Sequence, residues 1–463
     1  MDELTGRLAG AVGDAHVLTG ADIPVEYGHD EALSVRAHTP AYLVRPDSAE
    51  QVAEVLRIAG EHRLPVTARG SGSGLSAACR PEDGGLVVCF ERMNSILEID
   101  TDNHVAVVQP GVTLAELEER TTEVGLVYPV YPGELSGSLG GNVGTNAGGM
   151  RAVRYGVTRH NVLGLQAVLA TGEVIRTGGK MAKISSGYDL TQLITGSEGT
   201  LALVTEVTLK LQPRLTRNAT VLAPFSELNE VMRAVPKVVS SGLGPHILEY
   251  IDALTMGAIT YTSNLSLGVP DQVRDAAQAY LVVGMENRDG DRLDGDVEML
   301  GQLLSDLDAI DVYVLDGPSA HKLIEAREKA FWSAKAAGAD DIVDVVVPRA
   351  AMPEFLERSR ELATDNGSGV VGCGHAGDGN VHLAVFQKDP ELRSALLHDM
   401  FALGMRLGGA ISGEHGLGTA KARYFVELED PAKLDLMRRI KQTFDPNGIL
   451  NPSVLLGGKE RAQ

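Results

Sequence analysis

The stretch Pro132-Gly133-Glu134-Leu135-Ser136-Gly137-Ser138-Leu139-Gly140-Gly141-Asn142-Val143-Gly144-Thr145-Asn146-Ala147-Gly148-Gly149 is dense in glycine and almost free of charge. Glycine at this density loses much backbone entropy on ordering and buries no side chain. A chain that keeps it needs its backbone pressed against something large and polar. The interspersed Ser and Asn offer hydrogen bonds to phosphate or to ring heteroatoms. A flexible linker would also be rich in glycine, but it would lack the Leu, Val and Ala that punctuate this run. The run reads as a loop that cradles a ligand.

Upstream, Arg69-Gly70-Ser71-Gly72-Ser73-Gly74 follows a short strand predicted at Leu64-Pro65-Val66-Thr67. No Gly-Lys-Ser/Thr follows, so it is not a P-loop. It is not a dinucleotide fingerprint either, because the spacing is wrong and Cys79-Arg80-Pro81 stands where a helix should begin. What remains is a strand-to-loop junction whose N–H groups can converge on a phosphate, with a plain turn as the alternative.

Ser48 and Gln51 have capping-box spacing, and Val52, Val55, Leu56 and Ala59 share one face of a helix predicted to stop at Gly60. Thr113 and Glu116 open a second helix, with Leu114, Leu117 and Val124 at helical spacing. Residues 163–169 and 173–177 read as a hairpin joined at Thr171-Gly172. Leu201, Leu203, Thr205, Val207 and Leu209 alternate as a strand within 200–211.

Glycine density drops after Pro213, which places a boundary at 213–216. The expected domains are 1–214, then 215–408 with alternating helical and strand patterns (including a polar, Asp-rich helix around 289–308), then 409–463. The last stretch holds a glycine cluster and a helix with a Pro-Asn-Gly stop at 445–451.

A chain of 463 residues exceeds what one hydrophobic core serves. Its 44% hydrophobic and 22% charged residues are those of a folded protein. The net charge of −21 repels polyanions, so nucleic acid and anionic lipid are poor partners. Aromatics make up only 4%, with Trp332 the single tryptophan, which leaves little for base stacking. A small anionic substrate is compatible, because local arginines override the global field.

Met1-Asp2-Glu3-Leu4 lacks the basic and apolar regions of a secretory leader. No run approaches the roughly 18 apolar residues of a membrane span. The cysteines Cys79, Cys89 and Cys373 show no CxxC spacing. The expectation is a cytoplasmic protein with reduced thiols, with a homodimer left open.

A second constellation lies in Val370-Val371-Gly372-Cys373-Gly374-His375-Ala376-Gly377-Asp378-Gly379-Asn380-Val381-His382-Leu383-Ala384-Val385-Phe386. Apolar runs flank Asp378-Gly379, a type I′ hairpin signal. With those two as the loop, Gly377 pairs with Asn380, Ala376 with Val381 and His375 with His382. The two imidazoles then face each other, with Cβ atoms about 4.5–5.5 Å apart, and can chelate one ion. Glu414, between glycines in Ser412-Gly413-Glu414-His415-Gly416, is the candidate third ligand. Solvated surface histidines and a structural His–Glu pair are the alternatives. A His₂Glu set with open positions suits Zn²⁺, Mn²⁺ or Fe²⁺.

Taken in order, Arg69–Leu75, Gln109-Pro110-Gly111-Val112, Gly137–Gly149, Tyr155-Gly156, Gly196-Ser197-Glu198-Gly199-Thr200 and the late Asn451-Pro452 resemble the flavoproteins of the vanillyl-alcohol-oxidase type. The resemblance is to the glycolate oxidase and D-lactate dehydrogenase branch, over nearly the whole chain. It implies an α+β protein: a two-subdomain FAD-binding domain, an α/β cap domain with an antiparallel sheet, and a short C-terminal helical segment that packs back on the FAD domain.

It further implies that Arg69, Gly70, Ser71, Gly72, Ser73, Gly74, Pro132, Gly133, Gly137, Ser138, Gly140, Gly141, Asn142, Thr145, Asn146 and Gly149 hold the pyrophosphate and flavin. Glu198, Gly199 and Val204 would lie along the cofactor, and Asn451 would approach the isoalloxazine. Relatives that bond FAD covalently through the first loop carry His where Ser73 stands, so non-covalent FAD is expected.

His375, His382 and Glu414 match the family's metal ligands, His415 its catalytic base, and Arg327 its arginine for the substrate carboxylate, an ordinary solvated helix charge being the other reading of Arg327. The implied reaction is oxidation of a small D-2-hydroxy acid to the keto acid. Reduced flavin is then reoxidised by a quinone, a cytochrome, an electron-transfer flavoprotein or an iron–sulfur subunit. Relatives acting on D-2-hydroxyglutarate carry a lysine just before the Asp-Val-x-x-Pro strand. Here Val343 precedes Asp344, which favours D-lactate or glycolate, with D-2-hydroxyglutarate as the alternative substrate if a basic residue from elsewhere takes the lysine's place. A metal-dependent hydrolase on this scaffold is the reading from another class.

Overall fold

The strand Val66–Arg69, which delivers the first glycine loop, runs parallel to Leu86–Cys89, which in turn runs parallel to Tyr42–Val44, with Val17–Thr19 antiparallel at the edge. In this computed structural model, which describes residues 3–457, Met1 and Asp2 of the leader reading and the last residues of the 409–463 stretch lie outside the description. The helix Ala49–His62 packs Val52, Val55, Leu56 and Ala59 into the core of this sheet. Ser48 caps it by accepting from Gln51 N at 3.3 Å, while Gln51 Oε1 accepts from Asp47 N at 2.9 Å, one residue upstream of a true capping box. Gly60 does not end the helix. It runs on to His62, and Arg63 in the left-handed region (φ 50) makes the stop, so the strand opens at Val66 rather than Leu64.

The second sheet is a five-stranded antiparallel array in the order Ile96–Asp100, Val105–Val108, Leu203–Lys210, Val162–Val168, Val174–Gly178. The predicted hairpin is present, with Val168 opposite Val174. The helix Leu114–Thr122 carries the full capping box between Thr113 and Glu116. Val124 lies beyond its end and is exposed, so the apolar part of the buried face is Leu114 and Leu117 alone.

After Pro213 the chain builds a seven-stranded sheet in the order Tyr313–Leu315, Arg217–Phe225, Ala279–Asn287, Ile247–Asp252, Gly369–Gly374, Asn380–Phe386, Asp341–Val346, all antiparallel. Helices Leu228–Ser240, Gly290–Ser305, Met352–Asp365 and Pro390–Arg406 cover one face with the largest apolar cluster. The other face carries a smaller cluster under Ala253–Thr262 and Gly317–Glu328. Strand alternation sends Val343, Val345, Val381, Leu383 and Val385 to the large core, which leaves Ile342, Asp344, His382 and Ala384 on the opposite face.

Residues after the sheet extend it. Ala410 and Ser412 bridge to the edge strand Asp341–Val346, and Leu450 bridges back to Val66, with Ile449 and Leu450 in the core under Ala49–His62. Among the described residues no helix is long and apolar enough to cross a membrane.

His246, just ahead of the strand Ile247–Asp252, is buried, and burial pushes its ring down to about 4. The unfolded ring titrates near 6.5. Between those values the unfolded chain binds more protons, so stability falls with falling pH across that window, by at most about 1.4 kcal/mol per pH unit. His246→Gln is expected to flatten this part of a stability curve measured by urea unfolding between pH 7 and 4.

Candidate active site

The two glycine-rich stretches fold against each other. Ser71 N donates to Ser138 Oγ at 3.3 Å, and Ser138 N donates to Ser71 Oγ at 3.1 Å. A Cβ on Gly70 would stand 1.9 Å from Ser138 Oγ, and one on Gly140 2.6 Å from Pro110 Cβ. Part of the glycine is therefore demanded by loop-to-loop packing. The long run is also not all loop: Leu139–Thr145 is a short helix, capped by Ser138 and ended by Asn146 in the left-handed region.

Between these stretches lies a cavity of about 1330 Å³ including its open mouth. Arg69 through Gly74, Pro132, Gly137, Ser138, Gly140, Gly141, Asn142 and Thr145 line it, together with Glu198, Gly199, Val204 and Asn451. Gly133 lines a neighbouring cavity instead. Asn146 and Gly149 line neither: Asn146 Oδ1 accepts from Arg159 N, and Gly149 (φ 111) presses on the Tyr131 carbonyl.

Several of the lining side chains also have internal partners. Arg69 donates to His29 O at 2.7 Å and lies beneath Gly72. Asn451 donates to Ala78 O and Glu198 O. The Glu198 carboxylate accepts from Leu417 N and Gly418 N, and burial pushes it up to about 7. Two features suit a large polar ligand in this space. Asn142 Nδ2 is buried without a hydrogen-bond partner, and a Cβ on Gly144 would meet nothing of the protein within 4 Å. Asp30, which the sequence did not single out, also lines the cavity.

The histidine hairpin differs from the predicted two-residue turn. Cys373, not His375, opposes His382. Residues Ala376–Asp378 form a 3₁₀ turn, and Gly379 alone takes a positive φ (80). A type I′ turn needs positive φ at both loop residues, which Asp378 does not adopt. His375 leaves the strand, yet its ring still meets that of His382 edge to face, with centroids 5.0 Å apart. Both converge on one oxygen: Glu414 Oε1 lies 3.0 Å from His375 Nε2 and 3.3 Å from His382 Nε2.

Glu414 Oε2 is buried without a partner. Two imidazoles and a carboxylate with a free lone-pair oxygen fit a divalent ion. Behind them, Glu249 Oε1 is 2.6 Å from His375 Nδ1, the carboxylate–histidine arrangement that orients a ligating ring. Burial opposes charge on His375, but Glu249 and Glu414 outweigh it and push the ring up to about 10. Burial likewise opposes ionisation of Glu414, which His375, His382 and His415 nevertheless pull down to about 2. His415 sits 4.9 Å from the His382 ring, and burial pushes it down to about 4, with Asp344 only partly offsetting.

Arg327 is no solvated helix charge: it is 6% exposed and lines the second cavity, about 1190 Å³ with its mouth. Its Nη2 lies 2.7 Å from Glu249 Oε2, but the two are not aligned as a hydrogen bond. Nη2 is engaged in this ion pair, and Nε has no hydrogen-bond partner. Val343, expected to bear on substrate choice, points into the large core and takes no part in the pocket; the cavity-facing residue on that strand is Ile342. Glu249 is a site residue that sequence reasoning missed, although an acid inside Ile247-Leu248-Glu249-Tyr250-Ile251 was a visible signal.

Glu414 and His415 line both cavities, so the space between the glycine-rich stretches adjoins the histidine cluster. A two-domain fold with such a site defines a flavin-dependent oxidoreductase. The chain belongs to the FAD-linked oxidases: residues 40–178 match the FAD binding domain and 214–455 match the C-terminal domain of the FAD linked oxidases. It is 64% identical, over 99% of this chain and 100% of the relative, to an uncharacterized FAD-linked oxidoreductase of Mycobacterium tuberculosis. It is 36% identical, over 94% of each chain, to a D-lactate dehydrogenase of Anaerostipes hadrus. In structure it is similar to p-cresol methylhydroxylase with substrate bound (TM-score 0.82, 18% identity, covering 100% of this chain and 98% of that one).

Gly144 offers a clean test of the cradle. Gly144→Ala is expected to stabilise the flavin-free protein by about 0.5–1 kcal/mol, as Ala does inside a helix. The same change is expected to weaken flavin retention, because the new methyl projects into otherwise unfilled space. Chemical denaturation of apoprotein alongside an FAD titration checks both halves.

Proposed function

We propose that the chain oxidises a D-2-hydroxy acid with a single carboxylate to the 2-keto acid, D-lactate and glycolate being the smallest members of that class. Non-covalently bound FAD would supply the two-electron acceptor, and a divalent ion held by His375, His382 and Glu414, of the Zn²⁺, Mn²⁺ or Fe²⁺ type, would polarise the hydroxyl. The observation that carries this reading is the shared position of Glu414 and His415 at the junction of the two cavities. The similarity to a D-lactate dehydrogenase supports the substrate class.

The residues divide the work. Arg327, buried, lining the second cavity and ion-paired with Glu249, would also pair with the substrate carboxylate; a charge-assisted bond of this kind contributes about 1.5–3 kcal/mol. His415 accepts the hydroxyl proton. Bound FAD would supply the acceptor for the hydride lost from C2 as the C2–O bond becomes a carbonyl. The electrons would leave for an external acceptor such as a quinone, cytochrome, electron-transfer flavoprotein or iron–sulfur partner.

Glu414→Ala and His382→Ala should each lose bound metal and turnover while the protein stays yellow; full activity in either would remove the ion from the reaction. His415→Ala should slow anaerobic flavin bleaching by about 10²–10⁴-fold in a stopped-flow trace. Acid precipitation should leave the pellet colourless and the supernatant yellow, as Ser73 offers no histidine for a covalent link.

A further inference from the structure

Arg327, His375, His382, Glu414 and His415 all line the second cavity. Much of the rest of its lining is apolar. Ile342 and Phe386 come from the inner face of the sheet, Leu254 and Ile259 from the helix Ala253–Thr262, and Phe331 and Trp332 from the helix Ala330–Ala336. Phe331 and Trp332 stand edge to face, with ring centroids 5.2 Å apart at 71°. Lys335 lies over the Trp332 ring at 5.1 Å and reaches Glu31 at 2.5 Å, which pins this wall to the N-terminal part of the chain.

Among the described residues Arg327 is the only lysine or arginine lining the space, whereas Glu134 and Glu328 also line it. A second carboxylate on the substrate would be desolvated without a cationic partner and would face two acids. A methyl group or a hydrogen at C2 would leave most of the apolar wall uncovered.

We propose that the preferred substrate carries an extended apolar side chain, branched aliphatic or aromatic, which packs between Ile342 and the Phe331–Trp332 edge. This rests on the 2-hydroxy-acid reading above and sharpens it: neither the methyl of lactate nor the carboxylate arm of 2-hydroxyglutarate uses this wall. A hydrophobic pocket discriminates by about tenfold or more per methylene it is built to hold.

The test uses the flavin-loaded enzyme. Its single tryptophan, Trp332, lies in the proposed wall, so emission reports occupancy without turnover. Phenylpyruvate and the keto acid of leucine should perturb the emission at concentrations about tenfold or more below those needed for pyruvate or 2-oxoglutarate. In kcat/KM, D-phenyllactate and the D-hydroxy acid of leucine should exceed D-lactate and D-2-hydroxyglutarate by a similar factor.

Trp332→Ala, a partly exposed position, should raise KM for D-phenyllactate more than for D-lactate. Ile342→Lys should move the preference toward D-2-hydroxyglutarate. Equal or better performance by D-lactate or the dicarboxylate in the unmodified enzyme, or unchanged preference ratios in both variants, overturns the side-chain assignment alone. If no 2-hydroxy acid bleaches the flavin, the oxidation reading fails and this assignment goes with it.

Discussion

The Asp344 carboxylate is fully buried and accepts from four donors on two separate stretches of chain: Asn380 Nδ2 at 2.8 Å, Ser412 Oγ at 2.7 Å, Glu414 N at 3.1 Å and His415 N at 2.8 Å. Burial alone would drive it neutral, yet His415, His382 and Lys421 hold it well below the usual carboxylate range. A charge so deeply desolvated persists only when its oxygens are fully partnered. Its partners include the backbone of the two residues proposed to carry the chemistry, Glu414 and His415. Glu414 and His415 lie on a segment without helix or strand, and that segment is located by this carboxylate and by the bridges of Ala410 and Ser412 to the edge strand Asp341–Val346.

One sheet face then does the rest. Alternation along Asp341–Val346 and Asn380–Phe386 sends valines and leucines to the large core and presents Ile342, Asp344, His382 and Ala384 to the other side. Glu249, in the strand Ile247–Asp252, projects from the same side, where it meets both His375 and Arg327. A single buried glutamate thus orients a ligand imidazole and partly balances an arginine. Removing it would take the ion-pair partner from Arg327 and leave the His375 ring held by Glu414 alone. The metal candidates and the carboxylate candidate are one electrostatic unit, although 48 positions separate Arg327 from His375 in the chain.

That long-range coupling marks what could be read from residues alone. Capping at Ser48 and Thr113 and the hairpin ending at Val168 and Val174 follow from local spacing, and local spacing was enough. The register of the histidine hairpin was not, because a neighbouring strand sets it. A Cβ on Gly379 would strike Val347 O at 2.0 Å, and one on Gly374 would strike Asn380 O at 2.2 Å. Those glycines answer to the sheet around them rather than to a two-residue turn. Glu249 and Asp344 are visible in sequence as acids within apolar strands, but their partners lie 126 and 71 positions away.

The glycines of the opening stretch divide along the same line. Gly70, Gly140 and Gly149 exclude side chains because protein atoms already occupy the space, whereas Gly144 excludes none and faces the cavity. Density of glycine therefore carries two messages in one run. Some residues let the two loops interlock into a rigid rim, and the rest leave room for what the rim encloses. The rigidity matters because Glu198, on the far side of the same cavity, holds the backbone of Leu417 and Gly418, three and four positions after Glu414. The glycine-lined cavity and the histidine cluster are thus tied at Asp344, in the strand Asp341–Val346, and at Glu198. A change in either anchor displaces Glu414 and His415 relative to the space where a flavin would lie.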